Sequence, residues 1–115
     1  MYLRTFSKRS HKYNAASCKC YSGHIHDSRL EARVCDRLLA MVQGGEIESY
    51  ERQVNFDLLA YGIKICAHRV DYVLTHKNNS LEVWEVKGYA TPEWRIKKKL
   101  FEANYPHIKY TVVVK

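Results

Sequence analysis

The spacing of apolar residues between positions 28 and 43 predicts an amphipathic helix. Apolar side chains recur there every three or four residues and form one stripe: Leu30, Val34, Cys35, Leu38, Leu39, Met41 and Val42. Ser28 can cap the helix, with Glu31 three residues later completing a capping box, and Gly44 and Gly45 end it. Glu31 also lies at the edge of the stripe, where a carboxylate needs a partner. It therefore has two interpretations, a helix cap or a carboxylate that faces a functional site.

Segments rich in β-branched and aromatic residues predict strands in the rest of the chain. The strands are expected at residues 46–59, 63–75, 81–87 and 108–114. Tyr61 and Gly62 make a turn between the first two, and the polar run from His76 to Ser80 makes a short turn between the second and the third.

A second helix is predicted between the last two strands. Thr91 supplies an N-cap and Pro92 suits the first helical position, so the helix is expected to reach about Asn104. Its inward face is expected to consist of Ile96, Leu100, Phe101 and Ala103. The helix also carries a basic run, Arg95 with Lys97, Lys98 and Lys99. This run is either a solvated helix face or a surface that contacts phosphates.

Charged residues interrupt the second and third strands. Asp71 lies between Val70 and Tyr72, where aspartate is disfavoured, so it is either a surface residue of an edge strand or part of a site. Glu85 and Lys87 share one face at the end of the third strand. The short turn between the strands places Asp71 nearly opposite Glu85. Because neighbouring carboxylates repel, a cation between them would stabilise the pair.

Composition favours a single globular domain with a polyanionic partner. The chain has 115 residues, a 46% hydrophobic fraction and a net charge of +7, which makes nucleic acid the first candidate partner. Residues 1–14 are rich in lysine and arginine and contain no acid, so we interpret them as a basic flexible arm, solvated or in contact with phosphates, before a domain at residues 15–115. Neither a membrane span nor a secretory signal is visible, which predicts a cytoplasmic protein with reduced cysteines.

A small hairpin is predicted near Tyr21, Ser22 and Gly23, and it carries the pattern Cys18-x-Cys20-x3-His24-x-His26. Thiolates and imidazoles are ligands that Zn²⁺ prefers. A two-residue turn would send the cysteines and histidines to opposite faces, whereas a three-residue turn would pair Cys18 with His26 on one face. The spacing is tighter than in zinc fingers, so a structural Zn²⁺ is not expected, and a zinc-stabilised binding module that uses these four residues is a minor alternative.

The predicted order of helix, three strands, helix and strand, with Asp71 and Glu85-x-Lys87 in these places, resembles the PD-(D/E)xK nuclease superfamily. Within it, the chain is similar to a small phage and prophage family of Holliday-junction-resolvase type. The local matches are Asp27-Ser28-Arg29-Leu30-Glu31-Ala32, Gln53-x-x-Phe56, Val70-Asp71-Tyr72, Glu85-Val86-Lys87-Gly88, Thr91-Pro92 and Lys97-Lys98-Lys99-Leu100-Phe101. The resemblance covers about residues 12–115, and Val70 replaces the superfamily's proline before the aspartate.

The resemblance implies a restriction-endonuclease-like αβββαβ core, with a mixed central sheet flanked by helices and preceded by the small hairpin. It also implies a homodimeric, metal-dependent endodeoxyribonuclease that cuts branched or double-stranded DNA in the cytoplasm, in the host cytoplasm if the protein is phage-encoded. Asp71 and Glu85 would bind Mg²⁺, or Mn²⁺ in its place, with the Val86 carbonyl as a third ligand. Glu31 would orient Lys87 or help to hold a second metal ion. The catalytic set would be Glu31, Asp71, Glu85 and Lys87, and the DNA contacts Gln53, Arg95, Lys97 and Lys98.

Degenerate members of the superfamily have lost activity, which leaves a second hypothesis open. The chain could be a catalytically inactive nucleic-acid-binding or phage–host interaction protein on a nuclease-like scaffold. Such a protein would bind DNA without any dependence on a metal and would release no cleavage product.

Overall fold

A computed structural model of the chain describes residues 3–4, 18–19, 23, 25–26 and 29–114. In chain order its elements are β1 (Leu3–Arg4), β2 (Cys18–Lys19), β3 (Ile25–His26), α1 (Arg29–Gln43), β4 (Ser49–Ala60), β5 (Ile63–Thr75), β6 (Leu81–Lys87), α2 (Pro92–Asn104) and β7 (Lys109–Val114). From α1 onward this is the predicted order of helix, three strands, helix and strand.

The main sheet has the strand order β1-β4-β5-β6-β7. β4, β5 and β6 are antiparallel neighbours, and β7 runs parallel to β6 because α2 forms the crossover between them. The very short β1 pairs with the outer edge of β4. The prediction of an αβββαβ core around a mixed sheet is therefore confirmed, and the architecture is compatible with a restriction-endonuclease-like fold.

Each face of the sheet carries its own hydrophobic core. Tyr72 and Trp84 are paired on neighbouring strands and pack with the apolar stripe of α1. Val73 and Val83, the next pair along, belong to a second cluster with Phe101 of α2. Because side chains of successive strand residues point to opposite faces, the two helices cover opposite sides of the sheet.

Two details of the fold differ from the predictions. β4 begins at Ser49 rather than at residue 46, because the N–H groups of Glu46 and Ile47 donate to the Met41 carbonyl near the end of α1. The inward face predicted for α2 is wrong at Ile96 and Ala103, which are both exposed. The helix places Phe101 in the core, and at about 100° per residue Ile96 lies roughly 140° and Ala103 roughly 160° around the axis from it.

The predicted N-terminal hairpin is present as the pair β2 and β3. Its backbone register joins Cys18 with His26 and Lys19 with Ile25, which is the register of the three-residue turn. Cys20 and His24 lie outside the described residues, so a Zn²⁺ site here is untested and its absence stays an expectation. Neither helix in the described part of the chain is long and apolar enough to cross a membrane.

Candidate active site

The sheet opens between β5 and β6 at Asp71 and Glu85. The regular pairing of these strands runs from Thr75 with Leu81 to Tyr72 with Trp84, and Asp71 and Glu85 occupy the next position. Here side chains replace backbone pairing. The Asp71 N–H donates to Glu85 Oε2 at 2.9 Å, and the Val86 N–H donates to Asp71 Oδ2 at 2.8 Å. Each carboxylate therefore holds the backbone of the opposite strand.

Both carboxylates are deeply buried, with only 3% of Asp71 and 4% of Glu85 exposed. Strand alternation explains their position, because Val73 and Val83 stand next to them on the same face and are fully enclosed in the α2-side core. Two buried acids at adjacent positions are costly unless positive charge or hydrogen-bond donors stabilise them. The end of the hydrophobic core is thus occupied by a pair of acids.

The donor set suits Mg²⁺ better than a closed transition-metal site. Within the described residues, no group of three or more His, Cys, Asp or Glu side chains is placed to hold a metal. Mg²⁺ does not require such a group, because it is usually held by one or two carboxylates and completes its shell with water and substrate phosphate. Asp71 and Glu85 supply two carboxylates at adjacent positions of neighbouring strands. Asp71 and Glu85 therefore fit a Mg²⁺ site.

Lys87 lies at the mouth of the opening. Its Nζ is 4.0 Å from Glu85 Oε1 and 5.2 Å from the centroid of the Trp94 ring in the first turn of α2. About 29% of its side chain is exposed, so the ammonium lies beside the buried Glu85 and is also accessible to a ligand from solvent. The structure thus brings Asp71, Glu85 and Lys87 together, as the sequence predicted.

Glu31 is connected to this region through Tyr72. The Tyr72 hydroxyl donates to the Glu31 backbone carbonyl at 3.1 Å. Burial raises the pKa of Tyr72 well above its usual value, and the charges of Cys35, Asp71 and Glu31 raise it further. Ser28, the predicted partner of Glu31 in a capping box, lies outside the described residues. Neither interpretation of Glu31 is decided, and its role at the site stays a prediction.

Gln53 lies across β5 from the opening. Its neighbours in β4 pair as Arg52 with Tyr72 and Val54 with Val70, so Gln53 faces the position of Asp71. Its φ of 53° is unusual for a non-glycine residue inside a strand, and such conformations are often found at functional sites. The buried Gln53 Oε1 has no hydrogen-bond partner in the part of the chain that the structure describes. The backbone position fits the predicted edge of the site, while DNA contact by Gln53 is untested.

The basic residues of α2 follow Trp94, whose ring contacts Lys87, along the same helix. Lys97 and Lys98 are half-buried and pair along the helix with Glu93 and Glu102, each at 3.2 Å. Lys98 Nζ also lies 5.2 Å from the centre of the Tyr110 ring. Arg95 is exposed. Phosphate contact by these three residues stays a prediction.

A comparison with protein families assigns the chain to one of them. The family described as "Protein of unknown function (DUF1064)" matches residues 10–115, which is nearly the whole chain. The chain belongs to this family. No curated protein and no solved structure matches the chain. The DUF1064 description names no activity.

Three aromatic residues of this DUF1064 chain adjoin the site and were not expected there. His68 Nε2 and the Tyr110 hydroxyl are hydrogen-bonded at 2.9 Å, and the Trp94 ring packs edge-on against Tyr110 at 6.5 Å. Burial, followed by the charges of Lys97 and Lys87, lowers the pKa of His68 to about 4. Burial, followed by the charge of Glu85, raises the pKa of Tyr110 above its usual value. One sequence signal existed, since Trp94 is aligned with Lys97 along α2.

Proposed function

We propose that this chain is a Mg²⁺-dependent DNA endonuclease that hydrolyses phosphodiester bonds and prefers branched DNA such as four-way junctions. The observation that supports the proposal most is the meeting of Asp71, Glu85 and Lys87 where β5 and β6 separate. The resemblance to PD-(D/E)xK nucleases supplies the reaction type, and the net charge of +7 is favourable for a polyanionic substrate.

In this proposal Asp71 and Glu85 hold the metal, with the Val86 carbonyl as a third ligand, while Glu31 orients Lys87 or helps to hold a second metal ion. Bound Mg²⁺ lowers the pKa of a coordinated water and offsets charge on the phosphate, and Mn²⁺ can do the same. Lys87 orients the attacking water and stabilises the negative charge that develops on the phosphate oxygens. Its place beside Glu85 and its partial exposure suit this role.

The basic side chains supply affinity rather than sequence recognition. Arg95, Lys97 and Lys98 contact backbone phosphates, while Gln53 contacts DNA at the edge of the site. Two sites related by a two-fold axis would allow symmetric cuts at a four-way junction. The homodimer rests on the resemblance, so the preference for branched DNA must be measured directly.

The test is cleavage of a four-way junction, linear duplex and single-stranded DNA with Mg²⁺ or with EDTA. Asp71→Asn, Glu85→Gln and Lys87→Met remove one charge each and keep side-chain size, and Lys77→Met is the matched control at the exposed turn on the far end of β5 and β6. We expect cleavage only with Mg²⁺ and a loss of roughly 100-fold or more in each site variant, whereas the control keeps full activity. Cleavage that survives Asp71→Asn or Lys87→Met would refute the mechanism. DNA binding that ignores Mg²⁺ and yields no product would instead identify the inactive binding protein.

A further inference from the structure

We infer that Trp94 is a positioning residue: its ring holds the Lys87 ammonium at the Glu85 carboxylate, and Tyr110 with His68 fixes the ring in place. The inference rests on the proposed function, because it gives Lys87 the role described above. Neither the sequence pattern nor the family assignment attaches any role to these three aromatic residues.

The Lys87 ammonium lies between two groups that attract it. It lies 5.2 Å from the Trp94 ring centroid and 4.0 Å from Glu85 Oε1, so it is attracted to an aromatic face and to a carboxylate at once. A lysine side chain has four rotatable bonds and, at 29% exposure, could sample many rotamers in solvent. The two contacts together restrict it to conformations near the acids.

Trp94 is itself held rigidly. The residue lies in the first turn of α2, where its N–H donates to the Thr91 hydroxyl at 3.1 Å. Its ring packs against Tyr110 of β7, and Tyr110 pairs with Val83 of β6. The Tyr110 hydroxyl is bonded to His68, which is only 4% exposed. The ring is therefore braced by the same sheet that carries Glu85 and Lys87.

Core packing alone does not explain the position of the Trp94 ring. The residue is only partly buried and belongs to neither of the two hydrophobic core clusters. Tryptophan offers the best aromatic face for a cation. A residue that contributed only to the core would be expected to bury its ring among the aliphatic side chains of one cluster, whereas this ring faces an ammonium group.

The experiment measures single-turnover cleavage of a four-way junction with Mg²⁺ for Trp94→Leu, Trp94→Phe, Lys87→Met and the double variant Trp94→Leu/Lys87→Met. We expect Trp94→Leu to slow cleavage by roughly 5- to 30-fold with unchanged DNA affinity in EDTA, and Trp94→Phe to recover much of the rate because it keeps an aromatic face. The double variant should be no slower than Lys87→Met, since both changes remove one function. Tyr61→Leu is the control, because Tyr61 is a fully exposed aromatic residue at the β4–β5 turn.

A second measurement does not depend on cleavage. Trp94 should shift the NMR signals of the Lys87 ε-methylene protons upfield through its ring current, with the signals assigned by their loss in Lys87→Met. The shift should disappear in Trp94→Leu and persist in Tyr61→Leu. If the wild-type chain cleaves no DNA but shows this shift, the proposed function fails while the placement of Lys87 by Trp94 stands.

Several outcomes would overturn the inference. One is the absence of the ring-current shift in the wild-type chain. Another is a cleavage rate of Trp94→Leu with Mg²⁺ that equals the wild-type rate. A third is a Trp94→Leu effect as large in the Lys87→Met background as in the wild type, because Trp94 would then act independently of Lys87.

Discussion

The carboxylates of Asp71 and Glu85 each accept a hydrogen bond from the backbone of the opposite strand. We therefore expect these two acids to stabilise the fold in addition to any role at the site. Asp71 Oδ2 accepts the Val86 N–H at 2.8 Å at the position where regular pairing of β5 and β6 stops. Asp71→Ala removes this acceptor, so the Val86 N–H loses its hydrogen bond to the Asp71 side chain. Asp71→Asn keeps an amide oxygen of nearly the same geometry, so it removes the charge and retains the bond.

The size of the difference follows from the burial of the pair. A hydrogen bond to a charged group contributes about 1.5–3 kcal/mol, and a buried donor left without an acceptor costs about 1–3 kcal/mol. Asp71 is 3% exposed and Val86 is partly buried, so solvent replaces the lost acceptor poorly. We therefore expect Asp71→Ala to be less stable than Asp71→Asn by about 1–3 kcal/mol, while neither variant cleaves DNA.

The assay is urea unfolding of both variants and the wild type in EDTA, followed by fluorescence and by circular dichroism. The midpoints should separate while the m-values stay equal, because the same surface is exposed on unfolding. Equal stability of the two variants would refute the reasoning, since it would mean that the bond to Val86 contributes nothing. Cleavage activity of Asp71→Asn would refute the role of the charge instead.

Three further predictions address the metal, the core and a buried histidine. Mg²⁺ at ten times its dissociation constant should stabilise the wild type by about 1.4 kcal/mol in urea, and Asp71→Asn should show no such gain. Phe101→Ala should cost about 3–5 kcal/mol because the ring is fully buried between Phe56 and Tyr105. Ile96→Ala, on the exposed side of the same helix, should cost less than about 0.5 kcal/mol, and equal losses would contradict the observed helix rotation. Burial lowers the pKa of His68 to about 4 from 6.5, so the unfolded chain binds the extra proton first and stability should fall as pH drops from about 6.5 to about 4. His68→Gln should flatten this part of the pH–stability curve, and an unchanged curve would show that another group titrates.

The sequence predicted that Asp71 and Glu85 lie close together, because their placement depends on local rules. Alternation along β6 puts Glu85 and Lys87 on one face, and a short turn fixes which residue of β5 lies opposite Glu85. Both rules act over fewer than about 20 residues and involve only neighbouring strands. The hydrogen bonds from the Asp71 and Val86 N–H groups to the carboxylates could not be predicted. They form only because regular pairing of the two strands stops at Asp71.

Glu82 shows the same limit on the other side of the sheet. Its buried carboxylate accepts bonds from Trp84 Nε1 at 2.9 Å and the Thr111 hydroxyl at 2.6 Å, and it contacts His76 Nε2 at 2.8 Å. Burial alone would raise the pKa of Glu82, but the bonds from Thr111, His76 and Trp84 lower it. From the sequence, Glu82 is an ordinary acid near a turn. Its partners come from the same strand, the preceding turn and a strand 29 residues later, so only the assembled sheet identifies it as a structural residue.

The face of α2 that packs on the sheet determines whether Trp94 lies near Lys87, and the sequence did not define that face clearly. Thr91 and Pro92 determine where the helix begins, and this part of the prediction is confirmed. They leave open which side of the helix packs on the sheet, because apolar residues occur on more than one side. The structure selects the side of Phe101, which sits among Phe56, Tyr105 and Tyr110. Trp94 lies seven residues before Phe101, about two helical turns, so the same choice turns Trp94 toward the sheet and Lys87. The core contact of Phe101 therefore determines the position of the ring that holds the candidate catalytic lysine.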